Sequence, residues 1–260
     1  PGYDLVIQGM SGLMSITGAE EGPPMKVGVA ITDVIAGLQA SSAILAAVVA
    51  RNRSGRGDRV SISLMGSAVA ALVNVGQAHL ISGSPARRWG NAHPQIVPYQ
   101  VFASADGYLT VAAGNDKLYA AMCQVIGRED LAADARFDTN PHRVENRAAL
   151  ISVLETIFAQ RATREWLEAL QAAEVPCGSV ASLEDLFTGS ESPPGVEMLT
   201  LESGSGAPYW TVGSSVQMTG KRRQLAGAPL VGEHTDQVLG ELLDLAPERL
   251  LQLRADGVIR

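Results

Sequence analysis

Cysteine is scarce. The two in 260 residues, Cys123 and Cys177, make no disulfide framework and lack the spacing of a metal site, so both are read as reduced core residues. Histidine is scarce too. His79, His93, His142 and His234 form no ligand set, and no Ser-His-Asp or Cys-His order can be assembled from them, so no metal is expected. Cations are outnumbered, 20 Lys and Arg against 27 Asp and Glu, for a net charge of −7. Aromatics make up only 5% of the chain and no basic stripe runs between them, which disfavours nucleic acid. Long apolar runs are missing as well. Val34–Ala50 comes nearest, but it holds Gln39, Ser41 and Ser42 and starts at a carboxylate. It falls short of the ~20 residues that span a bilayer, so it reads as a buried core helix with no membrane partner. No signal peptide is visible, which makes the cytoplasm the expected compartment.

What is present suits a packed enzyme. Hydrophobic residues are 46% of the chain and mean hydropathy is +0.11, enough for one large domain or two small ones. The opening stretch ends in a turn-rich segment, Gly18–Pro24. A helix of about twenty residues then starts at Asp33 and stops at Ser54–Asp58, with Gly55 a plausible C-terminal cap. Arg59–Leu64 reads as a strand and Met65–Ser82 as a second helix. Strand and helix in alternation imply an α/β fold. Gly83–Pro98 is loop-like and divides this part, residues 1–82, from a smaller α+β domain over 99–188. There, Gln100–Ala103 and Tyr108–Ala112 read as paired strands, followed by helices at Asp116–Gly127, Arg143–Ala159 and Thr163–Ala173. Residues 189–260 form a Pro/Gly/Ser-rich connection and a helical tail expected to pack on the first domain.

Asp33 is the residue that points to chemistry. It lies in Lys26-Val27-Gly28-Val29-Ala30-Ile31-Thr32-Asp33-Val34-Ile35-Ala36-Gly37, where a short β-like run meets the helix. Local sequence leaves two readings open. Asp is a preferred N-cap, yet the small residues Gly28, Ala30, Ala36 and Gly37 leave room for a ligand to approach the backbone.

This stretch resembles the nucleophile segment of the class III coenzyme A transferases, the CaiB/BaiF type. The likeness continues in order along the chain. It includes Pro1-Gly2-Tyr3-Asp4 through Gln8-Gly9-Met10-Ser11-Gly12, then Ser54-Gly55-Arg56-Gly57-Asp58, and Gly90-Asn91 with Pro98-Tyr99. Asp106-Gly107-Tyr108, Gly114-Asn115-Asp116, Ala228-Pro229 and Gly232-Glu233-His234-Thr235 complete it. The family begins with a Rossmann-like half that nothing here matches. The resemblance therefore implies the remainder of a Rossmann-like large domain plus the smaller α+β domain, in a family-type interlocked homodimer. The isolated chain is expected to bind coenzyme A poorly and to transfer nothing.

The resemblance implies that Asp33 carries an aspartyl–acyl anhydride and then an aspartyl-CoA thioester. A coenzyme A thioester is then the substrate, with no permanently bound cofactor, and the acceptor is expected to be a carboxylic acid of the dicarboxylic class. Tyr3, Asp4, His93, Gln95 and Asn115 are the candidate substrate-binding residues. In the family's racemase branch a His-Asp pair stands at Tyr3-Asp4 and a carboxylate at Asn115. Phenol is a poor base at neutral pH and an amide takes no proton, which favours transfer over isomerisation. Packing remains open for Tyr3 and helix capping for Asn115. The grip on coenzyme A phosphates is sought in Arg51, Arg53, Arg56 and Arg59 or in Lys221-Arg222-Arg223, although such clusters are often solvated faces. Two alternatives stand beside the transferase: an α-methylacyl-CoA racemase-like isomerase, and a non-catalytic assembly piece.

Overall fold

The computed structural model describes residues 2–188, 195–216, 218–220 and 225–259. They divide into two compact units, Pro1–Val180 and Ala181–Arg260. Elements alternate between helix and sheet, a mixed α/β chain.

The first unit opens with helix α1 (Asp4–Met10), a single 3-10 turn at Leu13–Ser15 and the long helix α2 (Ile31–Ser54). Gly55 ends α2 at φ +71°, its N–H donating to the Arg51 carbonyl at 2.8 Å. That left-handed turn suits glycine. α2 was expected to be buried. Instead Val34, Leu38 and Leu45 are 51%, 65% and 66% exposed, because only α1 and α3 pack on it among the described residues. By length and composition alone α2 could cross a membrane. Its Gln39, however, accepts a hydrogen bond from Ser67 of α3 at 2.7 Å, as a helix packed within a protein does.

The strand expected at Arg59–Leu64 is not formed. Residues 59–63 are extended without a neighbouring strand, and Ser63 caps α3 (Leu64–Ala70) by accepting from the Gly66 N–H at 2.9 Å. A lone strand has no partner for its backbone groups, so the local cap wins. The single helix expected over Met65–Ser82 is likewise two, α3 and α4 (Val73–Ser82), bent by 75°.

Strands β1 (Tyr99–Ala103) and β2 (Tyr108–Ala112) pair antiparallel across the Ser104–Gly107 turn, and β3 (Cys177–Ser179) adds to β2. Helices α5 (Asp116–Val125), α6 (Glu129–Ala133), α7 (Asn140–Glu145), α8 (Arg147–Phe158) and α9 (Thr163–Ala172) surround this sheet. The helix expected over Arg143–Ala159 is broken at Asn146, whose side-chain amide donates to the Arg136 and His142 carbonyls. Asp106, in the hairpin turn, caps α9 by accepting from both the N–H and the hydroxyl of Thr163 at 2.7 and 3.0 Å.

The apolar core of the first unit lies almost wholly here. Phe102, Leu109, Tyr119, Met122, Leu150, Phe158, Trp166 and Leu170 are all buried. Alternation in β1 and β2 supplies one face, and the 3.6-residue stripes of α5, α8 and α9 the other. Residues 2–96 hold little apolar core. Apart from Ile7, Ala36 and Ala68, their buried groups are the polar Gln8, Ser11, Thr32 and Ser67.

The second unit contains α10 (Leu183–Thr188), the hairpin β4 (Met198–Glu202) and β5 (Pro208–Val212), and helices α11 (Thr235–Leu243) and α12 (Pro247–Ala255). The hairpin falls where an irregular connection was expected. Gly206, at φ +81°, lies in its turn.

Candidate functional site

Asp33 is not the N-cap of α2 but its third residue, since the helix starts at Ile31 and Ala30 stands at the cap position with no side-chain oxygen. The cap comes from elsewhere. Asp4, at the start of α1, accepts on Oδ1 from the Thr32 N–H at 2.9 Å and the Thr32 hydroxyl at 2.7 Å. Its Oδ2 accepts from Gln8 Nε2 at 2.7 Å. Gln8 is fully buried. Its Oε1 accepts from the Val27 N–H at 2.8 Å, and Nε2 also reaches the Val29 carbonyl at 3.4 Å. Burial pushes the Asp4 carboxyl up, but the Thr32 hydroxyl, Gln8 and the Thr32 amide outweigh it and hold Asp4 below the usual carboxylate range.

Asp33 itself is exposed, and its carboxylate has no partner among the described residues. In the first turn, the Ile31, Thr32 and Val34 amides donate to Val29, Asp4 and Ala30, while the Asp33 amide makes no hydrogen bond among the described residues. A free carboxylate and a free N–H therefore stand together at the positive end of a 24-residue helix. Tyr3 precedes α1 and is 87% exposed, its ring free to meet a ligand. Asp4, placed among the substrate-binding candidates, has both oxygens committed to Thr32 and Gln8 instead.

The other candidates form a second cluster. The segment 83–98 is fixed to residues 18–22: Gly90 N–H donates to the Gly18 carbonyl, Arg88 to Ala19 and Gly22, and Arg87 pairs with Glu20 at 3.3 Å. Trp89 has the guanidinium of Arg87 at 3.8 Å and that of Arg147 at 4.7 Å from its ring centre. His93 Nδ1 accepts from the Gln95 N–H at 3.1 Å, which places the neutral ring's proton on Nε2. Burial, and then the Arg147 charge, pushes His93 below its ordinary value and favours that neutral form. Gln95 is exposed and, with Asn74, His79, Arg87 and Trp89, lines a cavity of about 370 Å³.

Asn115 caps α5, its side-chain oxygen accepting from the Leu118 N–H at 2.9 Å. Beside it, fully buried Arg143 joins three segments. It donates to the Val97 carbonyl at 2.7 Å, the Phe137 carbonyl at 2.9 Å and Asp116 Oδ1 at 2.8 Å, with its guanidinium 4.3 Å from the Tyr119 ring centre. Asn140 holds Gln95 and Val97 as well. Asp33 and Asp4 are thus one group and His93 and Gln95 another, to which Asn115 is linked by its neighbour Asp116 through Arg143 and Val97. No hydrogen bond or ion pair among the described residues joins the two.

Sequence reasoning passed over Gln8, Thr32, Arg143 and Arg147. The available signal was slight: Gln8 lies four residues after Asp4, the spacing of side chains on one helical face. Arg51, Arg53, Arg56 and Arg59 are exposed. Lys221-Arg222-Arg223 lies outside the described residues. No cluster of three or more metal-ligating side chains occurs among the described residues.

The model of CoA-transferase family III matches residues 1–235, and the chain belongs to that family. It is 36% identical over 259 residues to the succinyl-CoA:glutarate CoA-transferase of Mus musculus, covering 99% of this chain and 59% of that protein. It is 38% identical over 242 residues to the succinate–glutarate CoA-transferase of Agrobacterium fabrum, covering 93% and 60%. Among solved structures, a CaiB/BaiF family protein from Brucella suis superposes with a TM-score of 0.76 at 34% identity, covering 93% of this chain and 63% of that one. The chain therefore spans about three fifths of the length of these relatives.

Proposed function

We propose that the protein to which this chain belongs is a coenzyme A transferase, moving coenzyme A from an acyl-CoA donor to a dicarboxylic acid through Asp33. The observation that carries this reading is the unpaired, exposed Asp33 carboxylate on a backbone fixed from outside its own helix. The activities named for the two relatives support the acyl class, since both transfer between succinate and glutarate.

The chemistry follows from a carboxylate nucleophile. Asp33 attacks the thioester carbonyl; the C–S bond breaks, giving an aspartyl–acyl anhydride and coenzyme A thiolate. The thiolate attacks the aspartyl carbonyl and the donor acid leaves, its C–O bond broken, to give an aspartyl-CoA thioester. The acceptor carboxylate attacks that thioester and releases the thiolate, forming a second anhydride. Thiolate attack on its acceptor carbonyl completes acceptor-CoA and returns Asp33. The Asp33 N–H and the α2 N-terminus suit the negative charge that develops on carbonyl oxygen. The Nε2–H of neutral His93 suits a carboxylate acceptor. Isomerisation is disfavoured because it needs two bases for one α-proton, and Asn115 is an amide engaged in capping α5. The exposed apolar flank of α2 suits cover by further protein, as in a homodimer.

The test is Asp33→Asn in the full-length protein. Loss of the nucleophile lowers turnover by at least about 10³-fold with the unfolding midpoint unchanged. Activity within a few-fold of wild type would leave Asp33 no covalent role.

A further inference from the structure

Resting on the reading of Asp33 as the nucleophile, we propose that Asp4 is a positioning residue for it. Asp4, through Thr32 and buried Gln8, fixes the backbone on which Asp33 is carried. Three observations support this. α2 has no local side-chain cap, so its first turn depends on a partner from outside. That partner is Asp4, 28 residues away from Thr32, and its Oδ1 takes both hydrogen-bonding groups of the residue next to Asp33. Gln8, fully buried, grips Asp4 with its amide and residues 27–29 with its oxygen and amide together.

The arrangement is a latch across the two ends of the segment 4–32. Residues 2–96 have few buried apolar groups, so polar contacts such as this one carry much of what places the first turn of α2. The latch also spends Asp4's own charge. Oδ1 is taken twice and Oδ2 once, whereas the Asp33 carboxylate beside it is unengaged among the described residues. The division of labour is one acid that holds and one that reacts. Glutamine at position 8 suits the first role because it donates to Asp4 and accepts from Val27 at once, which neither a carboxylate nor an apolar side chain can do.

The experiment uses the full-length protein in single turnover with succinyl-CoA, with hydroxylamine trapping and mass mapping of the Asp33 peptide. Its readouts are the rate of label appearance, the final amount of label and KM for the thioester. Loosening a reacting group by about 1 Å costs about 10²-fold. Asp4→Ala is therefore expected to slow labelling by about that factor, with the final amount and KM unchanged; a fold defect would lower the final amount instead.

Asp4→Asn turns an amide toward the Gln8 amide, donor to donor, and is expected to slow labelling about tenfold, the worth of one good hydrogen bond. An acid–base role for Asp4 would leave the rate of Thr32→Val unchanged. If Asp4→Ala does not fold, Thr32→Val decides. It removes only the hydroxyl bond and is expected to slow labelling about threefold. Wild-type rates in Asp4→Ala or Thr32→Val would overturn the proposal while label on Asp33 preserves the nucleophile. No label on Asp33 in turning-over wild type would overturn both.

Discussion

Replacing Arg143 with methionine should destabilise the domain that carries His93, Gln95 and Asn115, by an amount the contacts define. The guanidinium is fully buried and holds the carbonyls of Val97 and Phe137. Those residues are themselves 0% and 2% exposed, so no water replaces the lost donors. Each buried acceptor left unsatisfied costs about 1–3 kcal/mol, or roughly 2–6 for the pair. Loss of the guanidinium over Tyr119 adds about 1 kcal/mol. The bond to Asp116 adds little, because that carboxylate is 58% exposed and rehydrates. Methionine fills much of the vacated volume and spares the burial of a charge, which offsets part of the loss. The net expectation is about 3 kcal/mol. At about 2–4 °C per kcal/mol, that is a fall of roughly 6–12 °C in unfolding midpoint by calorimetry of the full-length protein. Asp116→Ala should cost no more than about 1 kcal/mol. A shift below about 2 °C for Arg143→Met would refute the view that this residue ties the segments before β1 and before α7 to the start of α5.

Two further outcomes follow from the electrostatics. The His93 ring should titrate below 6.5, because burial and then Arg147 disfavour its cation. The neutral state therefore contributes stability that is complete above the unfolded value and is lost as pH falls below it. Arg147→Met should move the NMR midpoint part of the way back up; a wild-type midpoint above 6.5 would contradict the assignment. Burial pushes the Cys123 thiol up to about 11, so this residue should resist alkylation at pH 8 until the protein unfolds, and prompt labelling of its peptide in the native state would count against the packing described.

Much of the fold could be read from local pattern. Two strand-like runs on either side of Ser104–Gly107 located the hairpin, Gly55 located the end of α2, and Thr163 with Trp166 and Leu167 beyond it located the start of α9. The errors have physical causes. Arg59–Leu64 has strand composition, but a strand forms only against a neighbour. The hairpin β4–β5 was hidden by the Gly, Ser and Pro that surround it, although Leu199 and Leu201 alternate as a strand's residues do. Asn146 interrupts an otherwise helical pattern by bonding backbone carbonyls with its own side chain. Asp33 stood out as a candidate through the small residues about it and the family resemblance, but the contact between Asp4 and Thr32 did not. Asp4 and Thr32 are paired across 28 positions, and no local periodicity encodes a contact of that span. Arg143 likewise entered only as the first residue of an expected helix, and nothing local foretold the three partners that converge on it.

The central claim is a covalent bond to Asp33, and trapping tests it most directly. The full-length protein, supplied with succinyl-CoA and hydroxylamine during turnover, should yield an aspartyl hydroxamate on the peptide that contains Asp33 and on no other. Turnover that proceeds with that peptide unmodified, or with the label on a different residue, would contradict the account.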